Sequence, residues 1–358
     1  MTLTVEEPKG EDALTAFVLF QNEVNASRSA RWPANLPLLF PILMGESPFV
    51  RERELRPLVV RDGEKLLARA AAVVDHRYIG HWNEKLGHIV FFEALPGTQQ
   101  AVRLLLDEAC AWLEGKGLSA ARTGMGMLDF PYVIDAYEAL PPSLLRQNPA
   151  SYHVLIKQAG FEAEKGMVDY KLRVRPELVA RWESALDSAR RLGYAIVPLR
   201  DVPADHRAKL FADLWNETFR AHWGWTPLSE DEVALFFMLL EMVGVLETSV
   251  IAYEGDEPVG MLFVAQDMPG LVALAPGRVL DASEKMNMLG IGVREKARGR
   301  GVNYAMASYA YLELVRRGLT WLSYTLVLDD NWPSRRTAEG LGAEVCANYL
   351  VYRRNFRR

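Results

Sequence analysis

The segment with the plainest chemistry runs from Arg294 to Asn303. There Arg294, Lys296, Arg298 and Arg300 interleave with Gly299 and Gly301, between an apolar run and a helical pattern. Glycine at those positions admits backbone angles that a side chain forbids, the amides at a helix start point outward at an anion, and the basic side chains add charge. That is a phosphate site in outline, although the same pattern also serves as a plain connector between a strand and a helix. The run holds neither GxxxxGK(S/T) nor GxGxxG, so a P-loop nucleotide and a dinucleotide lose support as ligands. Its spacing is Arg298-x-x-Gly301-x-Asn303.

The elements that must position this loop recur along the chain. The apolar run Met286–Val293 reads as a strand, and Val302, Met306, Tyr309, Leu312 and Val315 follow helical spacing up to Gly318. Earlier, His88–Glu93 reads as a strand, and Val102, Leu105, Leu106, Ala109 and Leu113 follow the same spacing up to Gly117. Hairpins turning at Asp62-Gly63 and Glu254-Gly255 precede the two copies, and a closing helix and strand follow each, through Gly160 to Tyr170 and through Gly342 to Tyr352. Each half therefore reads as an α/β unit with a mixed sheet, and Arg175-Pro176 is the expected boundary, giving domains 1–176 and 177–358. The spacing between the copies shortens at the third mark, so the first half carries an added segment, Gly124 to Asn148. It contains Met125, Met127, Phe130, Tyr132, Tyr137 and two adjacent prolines, and it either closes over a neighbouring site or covers the sheet. In the first half the loop Ala94–Ala101 keeps one glycine and no Arg or Lys, so an anion finds there neither charge nor a flexible backbone. Tyr152 and His153 start a helix and read as structural residues.

Composition narrows the partners. A chain of 358 residues is long enough for two domains, and 41 basic against 46 acidic residues, a net charge of −5, with no long basic run, argues against nucleic acid. The two cysteines, Cys110 and Cys346, lie far apart in core-like surroundings, which suits reduced packing residues and offers no metal cluster. Neither a signal-peptide pattern nor a long apolar stretch is present, so a cytoplasmic location without membrane contact is expected.

The loop Arg298-x-x-Gly301-x-Asn303, in its strand–loop–helix setting, resembles the GCN5-related N-acetyltransferase (GNAT) superfamily, whose pyrophosphate loop reads Q/R-x-x-G-x-G/A. Beyond the strand Trp321–Val327, the stretch Asn331 to Ala343 is similar to that family's N-x-x-A-x-x-L-Y-E-K-L-G-F run in unbroken register. The resemblance covers residues 190–358 and reaches the layout of tandem two-domain bacterial proteins, in which Asn216–Glu217 and Trp223–Leu228 have counterparts. It implies two tandem GNAT folds, each a mixed, mostly antiparallel twisted sheet flanked by helices, with a degenerate cofactor loop in the first. It also implies transfer of an acetyl group from acetyl-CoA to an amine of a small molecule or peptide. Arg298, Gly299, Arg300, Gly301, Val302 and Asn303 would hold the pyrophosphate, and Leu289, Ile291 and Val293 the pantetheine arm. Gly290 to Gly292 would set amides near the thioester oxygen, and Asn331 and Ser334 would hydrogen-bond the cofactor or a water beside it. The family's frequent thiolate-protonating tyrosine falls at Ala338, leaving Tyr349 or Tyr324 as a stand-in or as packed residues. Asn216, Glu217, His222, Trp223 and Trp225 would line the acceptor side, with Glu217, His222 and Glu284 as proton acceptors or plain surface groups. Two other readings stand: a noncatalytic CoA-binding sensor or scaffold, and acyl transfer to a thiol-sugar metabolite, as in mycothiol synthase-like tandem proteins. Pairing of the halves within one chain favours a monomer over a homodimer.

Overall fold

The computed structural model describes residues 2–356. In the first half, strands Leu3–Glu6, Arg53–Asp62, Lys65–Asp75 and Leu86–Ala94 lie side by side antiparallel, and Ala120–Thr123 continues the sheet parallel to the last of them. Lys65–Asp75 is buried almost throughout because helices cover both faces of the sheet, and its run of alanines and valines provides the small side chains such packing needs. Helix Gln99–Gly115 buries Val102, Leu105, Leu106, Ala109 and Leu113 on one face, the stripe that the 3.6-residue period predicts.

The next strand does not come from the first half. Beside Ala120–Thr123 lies Glu344–Asn355, the closing strand of the whole chain, with Tyr352 opposite Thr123 and Asn355 opposite Ala120. The first half's own closing strand, Glu162–Arg173, lies one place further out, between Glu344–Asn355 and Trp321–Leu328 of the second half. The two halves have exchanged their closing strands, and the result is one nine-stranded sheet running through both. Strands Asn287–Val293, Glu257–Gln266, Val250–Glu254 and Tyr194–Pro198 of the second half form a separate four-stranded sheet, and the short strand Ala273–Leu274 pairs with Ala30–Arg31 of the first half.

Helix Pro176–Arg191, which follows the expected boundary, starts with proline at a position where its missing N–H costs nothing and packs Trp182 against Tyr311 of helix Val302–Arg316, ring centroids 5.4 Å apart. On the opposite face, helices Ala204–Thr218 and Glu230–Leu240 cover the four-stranded sheet. Helix Glu230–Leu240 opens with a capping box between Ser229 and Glu232, and Glu232 also serves the interface. Its buried carboxylate takes hydrogen bonds from Arg77 at 2.6 and 2.7 Å and from Arg53 at 2.7 Å, both on the first half. Of the two cysteines, Cys110 is buried, but Cys346 is exposed, because no packed element covers the opening residues of strand Glu344–Asn355.

Two expectations follow. Residues 177–358 produced alone lack the strand that lies beside Trp321–Leu328, so this fragment should melt without a cooperative transition, and co-production with residues 1–176 should restore one by calorimetry. Glu232→Ala leaves two arginines buried without their shared carboxylate and should cost about 3–5 kcal/mol. Burial pushes the Glu232 carboxyl up, but hydrogen bonds and charge from Arg77, then Arg53, outweigh it and hold the group below its ordinary value. The stabilisation is therefore full above the ordinary carboxylate range and fades as pH falls through it. Melting curves of wild type and variant should converge in acid; parallel curves would show that the cluster contributes nothing to this dependence.

Candidate active site

The two sheets of the second half meet at strands Asn287–Val293 and Trp321–Leu328, which run side by side without pairing through their backbones. They are joined at one end by side chains. Asn287 Nδ2 donates to Ser323 O at 3.0 Å, Ser323 N to Asn287 Oδ1 at 3.0 Å, and Leu289 N to Thr325 Oγ1 at 3.0 Å. Beyond Thr325 the strands part. Leu326 adopts φ +51°, a costly angle for a branched side chain, and the register against Glu162–Arg173 slips there. Asn287 and Leu289 turn their N–H groups toward Trp321–Leu328, so by the two-residue alternation Ile291 and Val293 present the same edge to the opening. Leu289, expected among the groups that hold a pantetheine arm, spends both backbone groups on Thr325, whose hydroxyl also donates to Leu289 O at 3.2 Å.

Gly290 and Gly292 face the other way, toward helix Ala204–Thr218. A Cβ at Gly290 would stand 2.7 Å from the Trp215 ring, and one at Gly292 2.2 Å from Thr218 Oγ1. These glycines let the helix lie directly on the strand.

The parted strands lead to the basic loop. Gly301 adopts φ +80° and starts helix Val302–Arg316 without a side-chain cap, and a Cβ at Gly299 or Gly301 would meet nothing within 4 Å. The helix start is thus open to an anion, with its amides and dipole facing outward. Arg294 is held by Glu217 at 2.8 Å and Glu257 at 3.4 Å, Lys296 by Glu257, and Arg300 by Glu254 at 3.2 Å. Arg298 is different: its Nε donates to Val293 O at 3.0 Å and, among the described residues, no carboxylate lies within ion-pair distance. Asn303 turns away from the loop and donates to Thr337 Oγ1 at 2.8 Å, bracing helix Trp332–Leu341. Asn331 caps that helix, its Oδ1 accepting from Ser334 N at 3.4 Å.

The residues expected on the acceptor side are divided among other tasks. Asn216 latches the following loop by accepting from Leu228 N at 2.9 Å and donating to Leu228 O at 2.8 Å. Glu217 is the half-exposed partner of Arg294. Trp223 lies under the Arg122 guanidinium of the first half, 4.4 Å away, and Trp225 accepts from Trp82 Nε1 at 2.8 Å, so both tryptophans fasten this loop to the first half. Only His222 remains near the opening, its titration lowered by burial while Lys165 and Asp330 stand by. Tyr349 is buried and donates to Asp169 at 2.9 Å; burial and the Asp169 charge drive its hydroxyl far above its ordinary range. Burial likewise pushes the Tyr324 hydroxyl up. Glu284 pairs with Arg278 and accepts from Asp281 N at 2.8 Å.

Asp169 escaped the sequence reading. It lies on the exchanged strand, accepts from Leu326 N at 2.6 Å and from Tyr349, and is pushed up to about 7 by burial. The one signal in the sequence is a carboxylate in the otherwise apolar stretch Met167–Tyr170. Nothing there pairs that strand with Trp321–Leu328.

The matching place in the first half is filled. Strands Leu86–Ala94 and Ala120–Thr123 pair through Ile89 and Thr123 and then diverge, with Phe91 at φ +57°. Into the gap the added segment inserts Asp129, which accepts from Phe91 N at 3.3 Å and Gly124 N at 3.2 Å. Its ion-pair partner Arg146 donates to Phe92 O at 2.8 Å. Further along, the segment ties itself to the second half, Ser143 N donating to Asp267 Oδ1 at 2.6 Å. It both fills the first opening and reaches across to the second.

No protein-family model matches the sequence, and no curated protein matches it. Solved structures do. A tandem GNAT protein from the clavulanic acid biosynthesis pathway aligns over 99% of this chain and 98% of its own, at 11% identity and a TM-score of 0.62. A GCN5-related N-acetyltransferase from Sphaerobacter thermophilus covers 99% and 96%, at 13% identity and 0.56. A GCN5-related glucosamine N-acetyltransferase region of a fungal multi-domain β-N-acetylglucosaminidase aligns over 98% of this chain at 16% identity and 0.60, the match spanning 38% of that longer chain. At these identities the likeness establishes the fold: two GNAT units in tandem.

The close approach of helix and strand yields a test. Gly292→Ala forces its new methyl into Thr218 and Met261 and should destabilise by about 1–3 kcal/mol. Adding Thr218→Ala should recover part of that loss in thermal melts; equal melting of the single and double variants would refute the contact.

Proposed function

We propose that this chain, built on two copies of the GNAT fold, is an acyltransferase whose second half binds acetyl-CoA and passes the acetyl group to an amine of a small molecule or peptide. The observation that carries the reading is the uncapped start of helix Val302–Arg316, open above Gly299 and Gly301, beside Arg298 and at the mouth of two parted strands. Acetyl-CoA supplies a diphosphate for that anion site and an acyl carbon activated as a thioester. Arg298 and the backbone of Gly299, Arg300, Gly301, Val302 and Asn303 hold the diphosphate, and the strand edge at Ile291 and Val293, where Arg298 already takes the Val293 carbonyl, holds the extended pantetheine. The fit is good on both counts: a positive helix end for an anion, and an unpaired strand edge for a chain of amides.

A backbone N–H fixed beside a developing oxyanion contributes on the order of 3 kcal/mol, and within Gly290–Gly292 it is Ile291 whose N–H the strand alternation turns toward the opening. Position 338 is alanine, so no tyrosine protonates the departing thiolate from there. A thiol of ordinary pKa about 8.5 leaves without full protonation, so the reaction does not depend on that group. Arg146 and Asp129 occupy the first half's opening, which supports one cofactor site per chain. The internal pairing of halves supports a monomer, and use of acetyl-CoA a cytoplasmic location. No helix among the described residues is long and apolar enough to cross a membrane.

Calorimetric titration with acetyl-CoA should give one equivalent per chain. Arg298→Ala removes a charge-assisted hydrogen bond and should weaken affinity ~10–100-fold. Gly301→Asp sets a carboxylate where the diphosphate belongs, on a residue with positive φ, and should abolish binding. Unchanged affinity in both variants would move the site elsewhere.

A further inference from the structure

A partly open cavity of about 330 Å³ lies on the face of the large sheet, beneath the added segment of the first half. Its roof is mostly apolar, with Val133, Tyr137, Leu140 and Pro141 beside Arg146 and Gln147, and its floor carries Asp169 and Tyr349. The position follows from the strand exchange. Asp169 Oδ1 accepts from Leu326 N, and Leu326 adjoins Thr325, the residue whose hydroxyl closes the parted strands at Leu289. Asp169, on the cavity floor, therefore lies just across strand Trp321–Leu328 from the closed end of the opening assigned above to the thioester arm. Asp169 accepts one hydrogen bond on each oxygen, from Leu326 N and from the Tyr349 hydroxyl, and Asp281, also at the cavity, accepts from Ser283 N at 2.8 Å. Glu284 is committed to Arg278, and Asp135 is bound to Asn348 N at 3.0 Å and to its Nδ2 at 2.6 Å.

Resting on the acetyl-CoA reading above, we propose that this cavity is the acceptor site, that it takes a small primary amine with an apolar or aromatic body, and that Asp169 receives the proton the amine gives up. The amine nitrogen forms the new C–N bond to the acyl carbon, the C–S bond breaks, the electron pair leaves with the CoA thiolate, and the N–H proton passes to the Asp169 carboxylate. A cavity of this size is near the lower end of small-molecule sites, which excludes a folded protein and suits a metabolite. The catalytic group then belongs to the first half and the cofactor to the second, joined by the exchanged strand.

Asp169 is pushed up to about 7 by burial, against the hydrogen bonds from Leu326 N and Tyr349 that lower it. The titratable and charged groups that face it are Tyr349 and Cys346 on the neighbouring strand, Lys171 on its own, Asp135 and Arg146 on the roof, and Asp281 and Glu284 below Met286. A base must be ionised to act, so amine-dependent turnover should rise with pH along a limb near 7.

The test uses the full chain, acetyl-CoA, and ethanolamine, putrescine and tyramine as probe amines, with release of free thiol as readout. Asp169→Asn preserves shape: its amide oxygen can accept from Leu326 N and its amide nitrogen can donate to the Tyr349 hydroxyl. Wild type should release thiol in an amine-dependent way, fastest with tyramine. Asp169→Asn should bind acetyl-CoA with unchanged affinity, lose ~100-fold or more in turnover, and lose the limb near pH 7. Because ionising a buried carboxyl opposes folding above its raised pKa, the variant should also melt no lower than wild type at pH 8, which separates lost chemistry from lost structure. Failure of wild type to bind acetyl-CoA would sink the acetyl-CoA reading itself. Binding without amine-dependent thiol release from any probe would overturn the cavity as an amine site. Turnover and pH profile unchanged in Asp169→Asn would overturn the role of Asp169.

Discussion

The structure depends on the exchange of two closing strands. An edge strand carries a row of N–H and C=O groups that must find partners or remain a liability. Here the edge at Ala120–Thr123 is completed by Glu344–Asn355, and the edge at Trp321–Leu328 by Glu162–Arg173. The two exchanged strands also pair with each other from Glu344 opposite Lys171 to Arg353 opposite Glu162. Neither half can present a complete sheet alone, and side chains on one half's strand hydrogen-bond strands of the other, as Asp169 does with Leu326 and Tyr349. The interface is then reinforced by groups that have no other place to go: Glu232 between Arg53 and Arg77, and Arg122 clasped by Glu164 at 2.7 Å beneath Trp223.

The same fold, used twice, ends in opposite states because of what each opening contains. In both halves a residue with positive φ marks the point where neighbouring strands diverge, Phe91 in one and Leu326 in the other. Divergence strands backbone groups without partners, and buried backbone groups must be satisfied. In the first half Asp129 and Arg146 satisfy them from within the chain, as a pair whose mutual attraction offsets the cost of burying two charges. Strands Asn287–Val293 and Trp321–Leu328 have no such plug: side chains close the gap only as far as Thr325, and the edge at Ile291 and Val293 stays free for an extended ligand. Charge follows the same division. The loop of the filled half carries no Arg or Lys, whereas that of the open half carries four, of which Arg298 alone lacks a carboxylate partner among the described residues.

Much of this was legible in the sequence, and the reasons are local. Helical periodicity, Gly-terminated helices, acidic-Gly hairpins and the repeat of all three along the chain depend on neighbours a few residues apart, so helices Gln99–Gly115 and Val302–Arg316 and the turns at Gly63 and Gly255 stand where the pattern puts them. The added segment also falls where the shortened spacing requires. Strand alternation, however, tells which face a side chain takes and not which strand lies beside it, so the exchange left no trace in the pattern. Contacts with partners far along the chain were illegible for the same reason. Trp223 and Trp225 read as pocket walls and are fasteners to the first half; Leu289 reads as a cofactor contact and is occupied by Thr325; Asn331 and Asn303 brace a helix. Cys346, which reads as core, lies where no element covers it.

Asp169 shows why a site divided between two halves suits this architecture. A carboxyl placed on a strand inside a sheet sits at a fixed distance from its neighbours, held by the Leu326 amide on one side and the Tyr349 hydroxyl on the other. Its burial between neighbouring strands raises its titration into the neutral range, and the first half's added segment lies over the cavity beside it. The segment that closes one opening thus also borders the other. A first half that kept its own cofactor would need its opening clear of Asp129 and Arg146, and the segment carrying them could not then be anchored over the neighbouring sheet. Filling one opening and covering the sheet beside the other are, on this geometry, the work of one segment.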